Sequence, residues 1–203
     1  MGKQGSPGIT VDAKALRHAI ATRDVPVQTF FYDPKLREEW NRPHFSMLGT
    51  SKEMAYIRSI LVDKATKRPQ RFFGEAFVAS RTPMKHGWYT SFKWLTAKKW
   101  VTGKGLKEGF EQEFYDALCK HLKPPLVETI RAMVRATGKK LVAPDLWIIT
   151  PDGTHLFIEV KLEKDTLAPT QDDGLKVIEH ALKLAGLPVE IVIAHVVAEG
   201  GGK

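Results

Sequence analysis

Pro144-Asp145-Leu146-Trp147-Ile148-Ile149-Thr150-Pro151-Asp152-Gly153-Thr154-His155-Leu156-Phe157-Ile158-Glu159-Val160-Lys161 holds two apolar runs separated by a turn-forming tripeptide. Such a pattern predicts a β-hairpin, with Pro151-Asp152-Gly153 as its turn. Strand side chains alternate faces, so Glu159 and Lys161 share one face and Val160 points into the opposite layer. The hairpin folds Asp145, at the mouth of its first strand, back toward Glu159. Charged groups thus converge at the end of two strands too apolar to face water.

Two carboxylates and a backbone carbonyl, with Val160 as the candidate, make an all-oxygen site suited to Mg²⁺ or Mn²⁺. A lysine beside it can hold or help deprotonate an attacking water, while the ion stabilises charge building on a phosphoryl group. A hairpin of this kind in isolation reads as a solvated Glu/Lys tip before it reads as catalytic. The chain continues with Asp165-Thr166-Leu167-Ala168-Pro169-Thr170-Gln171.

With Pro144-Asp145 and Glu159-Val160-Lys161, this segment resembles the PD-(D/E)XK nuclease superfamily, and within it the VRR-NUC (virus-type replication-repair nuclease) branch. That branch carries a Pro-Asp, a Glu-Val-Lys and a loop of the type Asp-x-Leu-Ser-x-x-Gln leading into a helix. Leu162-Glu163 stands where branch members often carry Gly-Pro. The resemblance covers roughly Gly105 to Val197. It implies a restriction-endonuclease-like α/β core, a central mixed sheet flanked by helices, over 105–203. It also implies a metal-dependent DNA endonuclease, structure-selective for branched DNA (junction or flap), in replication, repair or recombination. Asp145, Glu159 and the Val160 carbonyl would hold Mg²⁺ or Mn²⁺, Lys161 would orient the water, and Gln171 would position the phosphate.

The superfamily also takes a glutamate from the helix before the hairpin. Gly109–Leu122 reads as an amphipathic helix with Phe110, Phe114, Ala117, Leu118 and Leu122 on one face. Glu111 falls inside that apolar sector and Glu113 at its rim. A carboxylate pushed toward a core needs a partner, and a metal is one. Glu111 is therefore the expected fourth member of the site, with Glu113 as runner-up. Either also reads as a first-turn glutamate favoured by the helix dipole.

The formal net charge is +8, which favours a polyanionic partner, nucleic acid before an anionic membrane. No apolar run approaches the roughly 20 residues of a membrane span. With no secretory h-region in view, a cytoplasmic setting is expected. Cys119 is the only cysteine, which rules out an internal disulfide or a cysteine-based zinc site; it reads as a packing residue. No Walker-type loop is present, so no nucleotide cofactor is expected. His121, His155, His180 and His195 lack the spacing of a helical zinc pair.

The segment 1–104 is expected to be an α+β elaboration that grips substrate or builds a homodimer. Helices are expected over Val11–Thr22 and about Ser51–Ala65, and strands over Val27–Tyr32, Arg71–Ser80 and Gly87–Trp94. Asp33-Pro34 to Arg42-Pro43 is expected to be a loop holding Trp40. Lys64 to Lys107 contains eleven cations against one acid, Glu75. Its Lys64, Lys67, Arg68, Arg71, Arg81, Lys85, Lys93, Lys98, Lys99, Lys104 and Lys107, with Lys164 beyond the hairpin, are candidate DNA contacts. The interleaved aromatics read as a packed core before they read as base-stacking surfaces. Further along, Pro124-Pro125 starts a helix that Gly138 ends, and Lys139–Val142 is expected to form a short strand. Thr170–Ala185 reads as a helix and Val189–Val197 as a buried strand. Two other readings stay open: a DNA-binding protein on a nuclease-like scaffold with a vestigial ion site, and a nuclease toxin or restriction component.

Overall fold

The computed structural model describes residues 11–40, 72–91 and 93–200. Within them the chain is a mixed α/β protein. One five-stranded sheet runs in the order β1-β5-β4-β3-β2, built from Val27–Tyr32 (β1), His86–Tyr89 (β2), Leu146–Ile149 (β3), His155–Leu162 (β4) and Val189–Ala198 (β5). The strands β1, β5 and β4 are parallel. The hairpin partner β3 and the edge strand β2 are antiparallel to their neighbours. β1 and β2 therefore complete the same sheet as the C-terminal strands, and the boundary at residue 104 does not separate two sheets.

Helices cover both faces. On one lie Ala13–Ala21 (α1), Phe110–Ala117 (α2), Lys123–Thr137 (α3) and Pro169–Leu184 (α4). Leu16, Phe114, Ile130 and Leu175 pack there against Trp147 and Phe157. On the other lie Pro34–Trp40 (α5) and Phe73–Arg81 (α6), where Trp40, Phe73 and Phe77 pack against Ile148, Ile158 and Val160. A helical turn, Lys99–Thr102, precedes α2, and a π-helical turn, Leu118–Leu122, joins α2 to α3.

Local chemistry explains most elements. Asp12 caps α1 by accepting from the Lys14 and Ala15 N–H groups. Gly138, at φ +71°, ends α3 in the left-handed conformation that costs glycine least. The β3–β4 turn is closed by the Gly153 N–H donating to the Thr150 carbonyl at 2.9 Å.

Four expectations are corrected. The stretch expected to be a strand over Arg71–Ser80 is the helix α6. Its Phe73, Gly74 and Ala76–Ala79 are all buried, and an apolar run covered on most sides carries no period that separates helix from strand. Pro34–Trp40, expected to be a loop, is a helix with Asp33 Oδ1 accepting from the Lys35 N–H and proline at its first position. Lys139–Val142 joins no strand: the Val142 N–H donates to the Thr170 carbonyl at the start of α4. A Cβ on Gly174 would stand 2.1 Å from the Val142 carbonyl oxygen, so only glycine lets α4 lie against this segment. Beyond Tyr89, the expected strand Gly87–Trp94 gives way to a turn over Lys93–Thr96. The helix expected over Ser51–Ala65 lies outside the described residues, as do Lys64, Lys67, Arg68 and Arg71.

Candidate active site at the sheet end

The hairpin register pairs Leu146 with Ile158, so the next pair along sets Asp145 opposite Glu159. Asp145 Oδ2 accepts from the Val160 N–H at 2.9 Å. A strand residue's N–H and C=O leave the same edge, so the Val160 carbonyl also faces the Asp145 side. Thr90, buried just after β2, fastens this corner: its N–H donates to the Asp145 carbonyl at 2.8 Å, and its hydroxyl donates to the Pro144 carbonyl.

Glu159 is 1% exposed. Lys161 Nζ donates to Glu159 Oε1 at 2.8 Å and to Gln171 Oε1 at 3.1 Å. The Gln171 amide donates back to Glu159 Oε1. Gln171 is itself held at the start of α4, where its Oε1 accepts from the Ala168 N–H at 3.0 Å. Glu159 Oε2 is buried and finds no hydrogen-bond donor among the described residues. Asp145, Glu159, Lys161 and Gln171 are thus brought together as the sequence predicts.

Glu111 is engaged away from this corner. Glu111, in the first turn of α2, pairs with Lys99 Nζ at 2.5 Å and accepts from the Lys107 N–H at 2.9 Å. Those cationic and N–H partners hold its carboxyl below the usual range, against the opposing pull of desolvation. Glu113 is exposed. Glu75, in the first turn of α6, lies within electrostatic reach of Asp145 and Glu159. Gly74 makes that approach: a Cβ there would lie 2.9 Å from Val160 Cγ1, so α6 can lie close on β4 only without one.

The electrostatics follow from crowding acids at one strand end. Burial, then the neighbouring Asp145, push Glu75 up to about 8. The same two causes, in the same order, raise Glu159, with Lys161 opposing. Asp145 is raised by burial against the lowering effect of the Val160 N–H. Asp165, whose carboxylate accepts from the Leu162 N–H, adds repulsion to Glu75 and Asp145. Lys161 opposes the rise at Asp145 and Glu159.

The donors present are carboxylates and a carbonyl, the set a hard divalent cation takes, and the unpartnered Glu159 Oε2 is an oxygen such an ion would satisfy. Asp145 Oδ2 and Glu159 Oε1 are presently turned to N–H donors. Among the described residues no group of three or more His, Cys, Asp or Glu side chains stands in a coordinating arrangement.

A half-open cleft of about 620 Å³ adjoins this corner, lined by Phe72, Tyr89, Thr90, Lys93, Lys107, Phe110 and the Lys99–Glu111 pair among others. Lys85, Lys98, Lys104 and Lys164 are exposed, and Arg81, also exposed, lies over the Phe77 ring. Trp94, Trp100 and Trp147 are packed in the core, as the packed reading of the aromatics expects. Arg131, unremarkable in the sequence, is buried and donates to the Trp94, Thr96 and Ala97 carbonyls, tying the turn that bears Lys93 to α3. Glu163, in the position of departure from the nuclease pattern, accepts from the Ala198 N–H and the Tyr32 hydroxyl. It therefore links the loop after β4 to β1 and β5.

His155 accepts from the Trp147 indole N–H at 3.3 Å and is depressed by burial, as a packed histidine is. His121 sits against His86 and Trp147 and is pushed down to about 4 by burial and its cationic neighbours. No helix among the described residues is long and apolar enough to cross a membrane. Comparison with protein-family models gives no match, and comparison with curated proteins gives none.

Proposed function

We propose that the protein is a divalent-metal-dependent DNA endonuclease with a PD-(D/E)XK-type core. The observation that carries this reading is the meeting of Asp145, Glu159, Lys161 and Gln171 at one strand end, with Glu75 within electrostatic reach of the two acids. Burying carboxylates beside one another is costly unless they are protonated or meet a cation. A protein with no use for the arrangement gains nothing from holding acids whose protons leave only near or above neutrality.

Asp145, Glu159, Glu75 and the Val160 carbonyl would hold Mg²⁺ or Mn²⁺, which when bound supplies charge stabilisation at the phosphoryl oxygens. Lys161 is fixed between Glu159 and Gln171, so its ammonium is pre-set to orient a water. The Gln171 amide, anchored in the first turn of α4, can turn an N–H to a phosphate oxygen. Thr90 fixes the Pro144-Asp145 backbone, so the Asp145 carboxyl is placed by the fold. The basic residues around the neighbouring cleft supply the attraction for the DNA backbone.

Purified protein incubated with labelled junction, flap, single-stranded and duplex DNA in Mg²⁺ or Mn²⁺ tests this. Asp145→Ala and Lys161→Ala are expected to abolish cleavage while leaving DNA binding largely intact. Full activity in either variant overturns the assignment. A second reading, a DNA-binding protein without catalysis, is favoured by the engagement of the Asp145 and Glu159 oxygens with N–H donors. It predicts binding that persists in EDTA and no cleavage in any divalent metal.

A further inference from the structure

The cleft beside the acids has features that a surface gripping only duplex phosphates does not need. Phe72 and Tyr89 meet edge to face with centroids 5.5 Å apart, and Tyr89 and Phe110 lie 6.3 Å apart. All three rings are half-buried and share the cleft with Lys93 and Lys107. Glu111 in its wall is already neutralised by Lys99, while Glu108 is the remaining acid on the rim.

Phe72 adopts φ +66°, a conformation that costs a side-chain-bearing residue on the order of 1 kcal/mol or more. It stands immediately before Phe73 and three residues before Glu75, so the strained ring is tied to the acid-bearing turn of α6. Tyr89 precedes Thr90, which fastens Asp145. The segments Phe72–Glu75 and Tyr89–Thr90 thus each run from the aromatic cleft to the acid-bearing corner.

We propose that this cleft is a seat for one unpaired nucleobase, stacked among Phe72, Tyr89 and Phe110, with the flanking phosphates directed to Lys93 and Lys107. Aromatic faces accept any base, and about 620 Å³ is ample for one nucleotide. A base inside a duplex is already stacked on its neighbours and has no face to offer. The seat therefore selects DNA with an unpaired nucleotide next to the scissile phosphate. This rests on the nuclease reading for DNA as the polymer and for the scissile phosphate lying at the acids.

The test measures binding without cleavage. Labelled duplexes of one sequence, either blunt or carrying a short single-stranded overhang, are titrated with the protein in EDTA and followed by fluorescence anisotropy. The overhang duplex is expected to bind roughly tenfold more tightly than the blunt one. Phe72→Gly removes the ring and suits the left-handed backbone, so the fold is retained. It is expected to lose most of the overhang preference and keep the blunt-duplex affinity. Tyr89→Leu, which keeps the apolar bulk, is expected to do the same. Equal binding of the two duplexes by the wild-type protein overturns the proposal, as does an overhang preference that survives in both variants. Failure of the nuclease reading shows separately, as absence of cleavage of every DNA in Mg²⁺ whatever the preference in EDTA.

Discussion

Two glutamates occupy nearly the same local position and have opposite fates. Glu75 and Glu111 each lie in the first turn of a helix packed on the sheet, where the helix dipole favours an anion. Glu111 meets Lys99 and the Lys107 N–H and is held below the ordinary carboxylate range. Glu75 meets Asp145, Glu159 and Asp165 and is pushed to about 8. A carboxylate matched to a lysine is a structural tie. One set near other acids calls for a cation or a proton, and under the proposed nuclease reading that difference assigns the site's helix acid to α6 and not to α2.

The contrast breaks most sharply under substitution. Glu75→Gln is expected to lower metal affinity or cleavage rate about tenfold to a hundredfold, whereas Glu111→Gln leaves cleavage within a few-fold of wild type. Parallel cleavage assays and metal titrations check this. Equal losses in the two variants, or a larger loss at Glu111, would reverse the assignment of the helix acid.

The next effect is on stability against pH. Glu75 and Glu159 have folded pKa values raised above their unfolded ones, from 4.5 to about 8. The folded state holds their protons where the unfolded state has released them. Their burial is therefore least costly below the unfolded value, and stability is lost as pH rises through the folded one. In EDTA the Tm is expected to fall from about pH 5 to about pH 8, and Mg²⁺ is expected to raise it more at the upper end, where the acids need not release protons to bind it. Differential scanning calorimetry at several pH values checks both signs. A Mg²⁺ effect independent of pH would separate ion binding from these acids.

The smallest effect belongs to the tie. The Lys99–Glu111 pair is partly exposed, so Glu111→Gln should cost no more than about 1 kcal/mol. Because its folded pKa is lowered, that contribution is present above the unfolded value and fades as pH falls through the folded one. Urea denaturation of the wild type and variant at neutral and acid pH resolves it.

Much of the C-terminal half was legible because its signals are local. Pro151-Asp152-Gly153 specifies the hairpin turn, strand alternation places Glu159 and Lys161 on one face, and Gly138 and Gly186 end helices. The register that sets Asp145 against Glu159 follows from the turn length, so the acids were identifiable from spacing. The segment before residue 105 was less legible. Phe73–Arg81 is enclosed by core and shows no clear amphipathic period, so its sequence does not separate helix from strand and does not give the face of Glu75. Locally, Glu75 is marked only as the lone acid in a basic stretch. The Asp33-Pro34 pair carries both a cap with first-position proline and a turn-forming composition, and the local pattern alone does not choose between helix and loop.

From the chain alone came the charge balance, the hairpin, the helix boundaries near glycine and proline, and the meeting of Asp145, Glu159 and Lys161, because each depends on residues close in sequence or on a two-residue period; Gln171 was expected there only through the resemblance to the nuclease pattern. Only the folded molecule decided which helix glutamate lies near them. That choice depends on Gly74 letting α6 lie against β4 and on Lys99 pairing with Glu111. Each is a contact between distant segments set by steric fit and charge pairing, and no local pattern encodes it.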